Sequence, residues 1–250
     1  MLKDFPLADF FSSPAIKEGI TGSILRCHES VRERLDIQIQ GVPGQRRDYL
    51  IEVLHPEFIG NLKIFLGPGT GKILIESRGL IAATIRMFNE SSLSIHANTA
   101  VTATFIIGHA DVVLGEDNLW ENEVLVQAND QHGIVDLQTN RMLNAHRRKI
   151  VFGKHVWVRR RAMILPDTLV GDGSVIDMSA VLAARIPACS IASGNPAVVV
   201  RQGVSWSRAP GGFNEEEQAF VTAQPRFVAP VSEMAASPER KTLLGKLFGK

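Results

Sequence analysis

The stretch FGKHVWVRRRAMILPDTLVGDGSVIDMSAVL, residues 152–182, decides the fold because a large apolar residue stands at every sixth position. The members of this series are Phe152, Val158, Ile164, Val170, Ile176 and Leu182. A smaller residue comes four positions after each of the first five, and these are Val156, Ala162, Thr168, Ser174 and Ala180. The sequence therefore repeats one large and one small position in every six residues.

Neither an α-helix nor a straight strand accounts for a period of six. Six residues turn an α-helix by about 600°, which scatters the apolar members over three sides. A continuous strand is interrupted by Pro166, Asp167 and residues 171–173, which are typical of turns. The chain must bend once per repeat. We therefore predict an all-β fold, a three-sided parallel β-helix in which each short strand points one large side chain inward.

The same period continues upstream and sets the predicted domain boundaries. The step of six recurs, with a one-residue slip in the middle, at Ile95, Val101, Ile107, Leu114, Trp120 and Val126. We predict a β-helix over residues 61–206, interrupted by a loop near 127–150. Residues 1–60 are predicted to form an irregular N-terminal segment, and residues 207–250 a C-terminal tail.

Two short helices are predicted in the tail. The first begins at Asn214, an N-cap residue followed three positions later by Glu217. The second begins at Ser237, with Pro238 in its first turn and an apolar side formed by Leu243, Leu244, Leu247 and Phe248. Such a segment could lie on a membrane surface, although a packed or frayed terminus is the more ordinary form.

Composition excludes several classes of partner. The 27 basic and 26 acidic residues give a net charge of +1, so no overall field favours nucleic acid or an anionic membrane. No apolar run is long enough to span a bilayer, and charges at Lys3, Asp4 and Asp9 argue against a secretory signal. Cys27 and Cys189 lack metal-ligand spacing and fit a reducing compartment. We expect a cytoplasmic protein.

Two segments resemble a known family. Residues 155–182, followed by SIASGNPAVVVR at 190–201, resemble the closing coils of the hexapeptide-repeat, left-handed β-helix acyltransferases. Residues 114–144 resemble more narrowly the members that O-acetylate sugars of capsule, exopolysaccharide or lipopolysaccharide. In those members an Asp-x-His-x-Ile-x-Asp segment leaves the coil as a loop, and the corresponding residues are Asp130, His132, Ile134 and Asp136. The resemblance covers about residues 90–206 and is the source of the expected left-handed coil.

The resemblance implies a reaction. It predicts an O-acetyltransferase that moves an acetyl group from acetyl-CoA to a sugar or polysaccharide hydroxyl in a ternary complex, without a metal. It also implies a homotrimer with active sites between subunits. His132 is the expected general base, since a neutral imidazole suits proton removal near neutral pH. Asp130 is the candidate partner of its ring, with Glu121, Glu123 or a backbone carbonyl as alternatives.

The resemblance also suggests a cofactor cleft. Trp157 is expected to line it, near the acceptor or the pantetheine arm. Met178 and Ala183 are expected to border the pantetheine arm through their main chain, and Arg201 to reach the phosphates of coenzyme A. The triplet at residues 159–161, three arginines, departs from the family pattern. It could form a solvated outer face, bind coenzyme phosphates or an acidic glycan, or crowd the channel.

Two alternative functions stay open. A γ-type carbonic anhydrase would need three imidazoles around a metal, and His109, His132 and His155 are evenly spaced. They do not fall at one position of the repeat, and the pair of histidines five residues apart that marks that group is missing. A catalytically silent scaffold or glycan-binding β-helix would keep the inward residues but would not need His132.

Overall fold

The computed structural model describes residues 1–224, in which strands dominate. The strands before the loop are β1 (Leu2–Pro6), β2 (Ile24–His28), β3 (Leu35–Ile39), β4 (Arg47–Val53), β5 (Gly60–Leu66), β6 (Gly69–Ile75), β7 (Ile81–Ile95), β8 (Ala100–Leu114) and β9 (Leu119–Gln127). The loop carries β10 (Val135–Asp136) and β11 (Arg141–Met142). After it come β12 (Arg148–Phe152), β13 (Trp157–Val158), β14 (Met163–Ile164), β15 (Leu169–Val170), β16 (Val175–Ile176), β17 (Val181–Leu182), β18 (Arg185–Ile186), β19 (Ser190–Gly194) and β20 (Ala197–Gln202).

The short strands stack in parallel with a fixed register. Trp157 on β13 faces Val175 on β16, and Met163 on β14 faces Val181 on β17, each eighteen residues further along the chain. Eighteen residues are three repeats of six, so each turn of the coil has three sides. The predicted parallel β-helix is confirmed.

Both repeated positions point into the interior. Every large member of the series from Phe152 to Leu182 is buried, and the five smaller members are fully buried. The upstream series from Ile95 to Val126 is buried as well. Burying one Val, Leu or Ile side chain contributes about 1.5–3 kcal/mol, so each turn of the column adds a layer of hydrophobic core. The inward assignment made from the period is confirmed.

The bends have a backbone cause that recurs every six residues. His155, Arg161, Asp167, Gly173 and Ser179 all have φ between 53° and 69°. Each of these residues lies immediately before one of the small buried positions. A positive φ turns the chain sharply but is unfavourable for residues with a Cβ atom. The inward packing on both sides of each corner offsets this cost.

The parallel pairing begins well before the regular repeat. β2 pairs in parallel with β4, and β3 with β5, so coiling already starts at Ile24. Antiparallel strands close both ends of the column, since β1 pairs with β2 and β20 pairs with β19. Edge strands covered in this way expose fewer unpaired backbone groups. The division of the chain at residue 60 stays a prediction.

Helices are short and lie at the two ends of the described chain. They are α1 (Pro14–Gly19), α2 (Glu29–Arg32) and α3 (Glu215–Ala223), with a 3-10 turn over Leu7–Phe10. The predicted capping box of α3 is confirmed, because Asn214 and Glu217 bond each other's backbone N–H groups. The second predicted tail helix, from Ser237, lies outside the described residues. Within residues 1–224, no helix is both long and apolar enough to cross a bilayer.

Candidate functional site

A loop of residues 128–147 leaves the column between β9 and β12. Leu119 on β9 pairs with Trp157 on β13, thirty-eight residues further on instead of eighteen. The loop therefore adds twenty residues to one turn without disturbing the stacking above and below it. It contains the small antiparallel hairpin of β10 and β11, and most of its residues are exposed.

His132 lies in this loop with its side chain exposed and its backbone held on both sides. Its N–H donates to the carbonyl oxygen of Asp130 at 2.7 Å. Its own carbonyl accepts a hydrogen bond from Nδ2 of Asn144 at 2.8 Å. Among residues 1–224, no hydrogen bond to the imidazole is formed. The ring is therefore open to a substrate while the peptide groups around it are fixed.

The carboxylate of Asp130 contacts Asn144 and Arg148 and forms no hydrogen bond with the imidazole of His132 in the described structure. Its Oδ2 accepts from Nδ2 of Asn144 at 2.9 Å and lies 3.3 Å from a guanidinium nitrogen of Arg148. Arg148 also forms an ion pair of 2.6 Å with Asp167, at a corner of the column. Asp130 thus links the loop to the column. Its role as the ring partner of His132 stays a prediction.

Trp157 sits on the outer face of the column, half-buried. Its indole Nε1 donates to Oε1 of Glu121 at 2.9 Å. The guanidinium of Arg159 lies over the ring at 5.1 Å from the centroid, and the ring of Trp206 lies at 5.9 Å. Charge above the ring and a neighbouring aromatic hold the indole in one orientation.

The arginine triplet is paired with carboxylates of neighbouring turns. Arg159 bonds Asp177 at 2.6 Å, eighteen residues on and therefore one turn away. Arg160 contacts Glu121 through its backbone N–H at 3.1 Å, and Arg161 pairs with Glu123 at 2.6 Å. The carboxylates of Glu121 and Glu123, considered as partners of His132, are thus engaged by Trp157 and the arginines. The triplet forms a charged ladder on the column wall.

The three remaining predicted site residues lie on the last turns. Met178 follows β16 and is 46% exposed, with its N–H bonded to Oδ1 of Asp177 at 2.8 Å. Ala183 follows β17 and is half-buried, and Arg201 is exposed on β20. Asp177 therefore joins Met178 to Arg159. The expected contacts of Met178, Ala183 and Arg201 with a coenzyme stay predictions.

A second polar cluster, not foreseen from the sequence, surrounds His155. The ring Nδ1 lies 2.6 Å from Oδ2 of Asp117, and Nε2 lies 2.9 Å from the carbonyl oxygen of Trp206. Asp117 also accepts from Arg208 at 2.6 Å. The cluster attaches the chain after β20 to the column. Sequence offered no signal for it, because His155 and Trp206 are far apart and share no motif.

Both titratable partners in this cluster have shifted pKa values. Burial alone would lower the pKa of His155, but hydrogen bonds to Asp117 and to the Trp206 carbonyl outweigh it and raise the pKa. Burial would raise the pKa of Asp117, but bonds from His155 and Arg208 outweigh it and lower the pKa. Both shifts favour a charged pair.

His155, one of the three histidines that the carbonic anhydrase alternative requires, is not available to bind a metal ion. His155 is 2% exposed, and both of its ring nitrogens are already in hydrogen bonds. A metal ligand must present a free nitrogen lone pair, which His155 does not have. Within the described part of the chain, no group of three or more His, Cys, Asp or Glu side chains is placed to hold a metal ion.

Sequence comparison finds relatives that match part of the chain. A polysialic acid O-acetyltransferase of Escherichia coli O1:K1 / APEC is 28% identical over 138 residues, which are 54% of this chain and 45% of that protein. A chloramphenicol acetyltransferase of Agrobacterium fabrum (strain C58) is 38% identical over 52 residues, 21% of this chain and 25% of that protein. The chain thus spans less than half the length of either relative. No protein-family model matches it.

Solved structures match over much more of the chain. The polySia-specific acetyltransferase NeuO superposes with a TM-score of 0.56 at 16% identity, covering 80% of this chain and 94% of that one. The polysialic acid O-acetyltransferase OatWY gives 0.51 at 18% identity, with 75% and 97% covered. Likeness at this level of identity establishes the fold, which is a left-handed parallel β-helix. By sequence and by fold, the chain is therefore similar to the hexapeptide-repeat acetyltransferases, as its repeat and closing motif predict.

Proposed function

We propose that the protein is an O-acetyltransferase that moves the acetyl group of acetyl-CoA to a hydroxyl of a sugar in a surface polysaccharide, with polysialic acid as the first acceptor to test. The observation that carries the proposal is the exposed imidazole of His132 on a fixed loop of a left-handed β-helix. The partial sequence match to a polysialic acid O-acetyltransferase supports the acceptor class.

In the proposed reaction His132 acts first as a general base and then as a general acid. The imidazole of His132 takes the proton of the sugar hydroxyl as its oxygen attacks the thioester carbonyl, so that a C–O bond forms. The C–S bond then breaks, and the imidazolium returns the proton to the leaving thiolate. The thioester is already activated, so direct transfer in a ternary complex needs no acyl-enzyme. An exposed ring on a rigid support suits a base that must meet two substrates.

The other site residues complete the proposed cleft. Trp157 offers an ordered aromatic face to the acceptor or the pantetheine arm. The backbone at Met178 and Ala183 borders that arm, Arg201 pairs with coenzyme phosphates, and Asp130 supports His132. Residues 61–206 carry the site, in a homotrimer that brings the loop of one subunit to the column of the next. We place the enzyme in the cytoplasm, where acetyl-CoA is available.

Turnover tests the proposal. Purified protein is mixed with acetyl-CoA and either polysialic acid or neutral oligosaccharides, and release of the coenzyme thiol is followed. We expect release with polysialic acid and a loss of at least about 10²-fold in His132→Ala, the usual contribution of a general base. His28→Ala, a half-buried histidine on β2, serves as the matched control. Equal turnover in wild type and His132→Ala rejects His132 as the base.

The silent-scaffold alternative gives a different result in the same experiment. A glycan-binding β-helix would bind polysialic acid without consuming acetyl-CoA, and His132→Ala would leave that binding unchanged. Binding without turnover over the whole acceptor panel would replace the enzyme proposal with the scaffold.

A further inference from the structure

We propose that Asn144 is a positioning residue for His132, an inference that rests on the proposed function. The side chain of Asn144 bridges the two sides of the loop across a gap of ten or more residues. Its Nδ2 donates to Oδ2 of Asp130 at 2.9 Å and to the carbonyl of His132 at 2.8 Å. Its Oδ1 accepts from the N–H of Ile134 at 2.8 Å.

These contacts hold the backbone on both sides of the His132 side chain. The peptide group after His132 is held at its carbonyl by Asn144, and the next residue but one is held at its N–H by the same amide. The N–H of His132 is bonded to the carbonyl of Asp130. Because the peptide planes on both sides of a residue set its Cα–Cβ direction, Asn144 sets the direction in which the His132 side chain leaves the backbone, without touching the ring.

The bridge is anchored to the rigid column. Asp130, the first partner of Asn144, also contacts Arg148 at the start of β12. Arg148 is 14% exposed in its side chain and pairs with Asp167 at a corner of the coil. The chain of contacts therefore runs from the column through Arg148 and Asp130 to Asn144 and the His132 backbone.

A few other bonds also hold residues 130–134, since the N–H of Leu143 donates to the carbonyl of Ile134 at 2.7 Å and Asp130 contacts Arg148. The hairpin of β10 and β11 has only two residue pairs, and most loop side chains are exposed. Apolar side chains of the loop are also solvent-facing, including Leu137 at 96% exposure. The side-chain amide of Asn144, with three hydrogen bonds, thus makes more bonds to residues 130–134 than any other side chain of the described loop. Its removal should leave the column intact while loosening His132.

Two variants separate positioning from general stability. Asn144→Ala removes all three bonds without adding charge, and Asn144→Asp keeps the shape but loses both donors and places a second carboxylate beside Asp130. We expect kcat to fall at least about tenfold in both, since a small misplacement of a catalytic group is costly. The KM for acetyl-CoA and the unfolding temperature should stay near wild type, because the loop is exposed.

A matched control separates the loss of the Asn144 bonds from a change of charge in the loop. Gln138→Glu makes the same amide-to-acid change on an exposed position of the same loop and should leave kcat unchanged. A turnover of Asn144→Ala equal to wild type would overturn the proposal.

A second readout is independent of catalysis. Amide hydrogen exchange at Ile134 should accelerate in Asn144→Ala, because its N–H loses its acceptor, while amides of β13–β17 should exchange as in wild type. Unchanged exchange at Ile134 would overturn the proposed tie. If wild type itself transfers no acetyl group, the proposed function fails, and the exchange experiment still decides whether Asn144 holds the loop.

Discussion

The imidazole of His155 stacks on the indole of Trp206, with ring centroids 4.4 Å apart and planes 10° apart. Two hydrogen bonds reinforce the stack, one from the imidazole to the Trp206 carbonyl and one from the indole Nε1 to the His155 carbonyl at 2.8 Å. The other ring nitrogen faces the carboxylate of Asp117. Because both ring nitrogens face acceptors, this arrangement favours the imidazolium form, which has a proton on each nitrogen. This clamp holds the segment after β20 on the column.

The clamp should make stability depend on pH. The pKa of His155 is raised in the folded protein, so its contribution is complete below the ordinary histidine pKa of about 6.5 and is lost as pH rises through the folded value. Glu217 adds a further negative charge nearby. We expect the urea concentration at the midpoint of unfolding to decrease as the pH is raised from 6 to 9. A midpoint that is flat over this range would contradict a charged clamp.

Replacing the carboxylate tests the same clamp directly. Asp117→Asn removes the charge that bonds both His155 and Arg208, and hydrogen bonds to charged groups contribute about 1.5–3 kcal/mol each. We expect a loss of about 1–3 kcal/mol in the free energy of unfolding at pH 6 and a smaller loss at pH 9, where the bond to a charged His155 is gone and only the pair with Arg208 is lost. The control is Glu116→Gln, which removes an exposed ion pair with Lys154. Glu116 and Lys154 directly precede Asp117 and His155 in the sequence. Equal losses in the two variants would argue against the clamp.

Alanine substitutions in the hexapeptide column should lower the free energy of unfolding strongly at inward positions and much less at outward positions. Ile164→Ala removes a fully buried side chain and should cost about 2–5 kcal/mol through lost burial and the cavity left behind. Met163→Ala, one residue earlier and 37% exposed, should cost much less. Chemical denaturation of the two variants makes the comparison. Similar costs at both positions would be incompatible with a strict inward and outward alternation on β14.

Replacing Asn118 should lower the free energy of unfolding of the column. Its side chain is buried, donates to the carbonyls of Gly115 at 2.6 Å and Gly153 at 2.9 Å, and accepts from the N–H of Val156 at 3.1 Å. Asn118→Ala leaves the Gly153 carbonyl and the Val156 N–H without this partner, at a cost of about 1–3 kcal/mol for each unsatisfied group, whereas the Gly115 carbonyl keeps its bond from Thr99 Oγ1 at 2.8 Å. We expect a loss of at least about 2 kcal/mol in urea unfolding. Asn122→Ala, an exposed neighbour, should unfold like wild type.

The column can be predicted well from the sequence because the six-residue period determines the geometry of each turn. A step of six fixes both inward positions and three sides per turn, and it even relates Arg159 to Asp177, eighteen residues on and one turn away. It does not relate Arg161 to Glu123, since that register depends on a loop of unknown length between them. The sequence alone therefore leaves the role of the arginine triplet open among a solvated face, binding of coenzyme phosphates or an acidic glycan, and crowding of the channel.

The loop and the clamp lie beyond what a periodic pattern can predict. His132 is recognisable because a motif surrounds it, but Asn144 reaches it through a loop conformation that no repeat encodes. His155 occupies an ordinary corner of the repeat, and Trp206 follows the last coil. Their contact depends on how the chain folds back after β20. Side-chain contacts made by irregular segments are set by tertiary packing, which a periodic pattern does not encode.

The most direct test of the account is the mass of a defined oligosialic acid after incubation with acetyl-CoA and the purified protein. The account predicts a mass increase of one or more acetyl groups with wild type and none above background with His132→Ala, while both proteins retain the same unfolding midpoint. Acetylated product in equal amounts from the two folded proteins would contradict the assignment of His132. An acceptor that stays unmodified with wild type would contradict the proposed reaction on sialic acid.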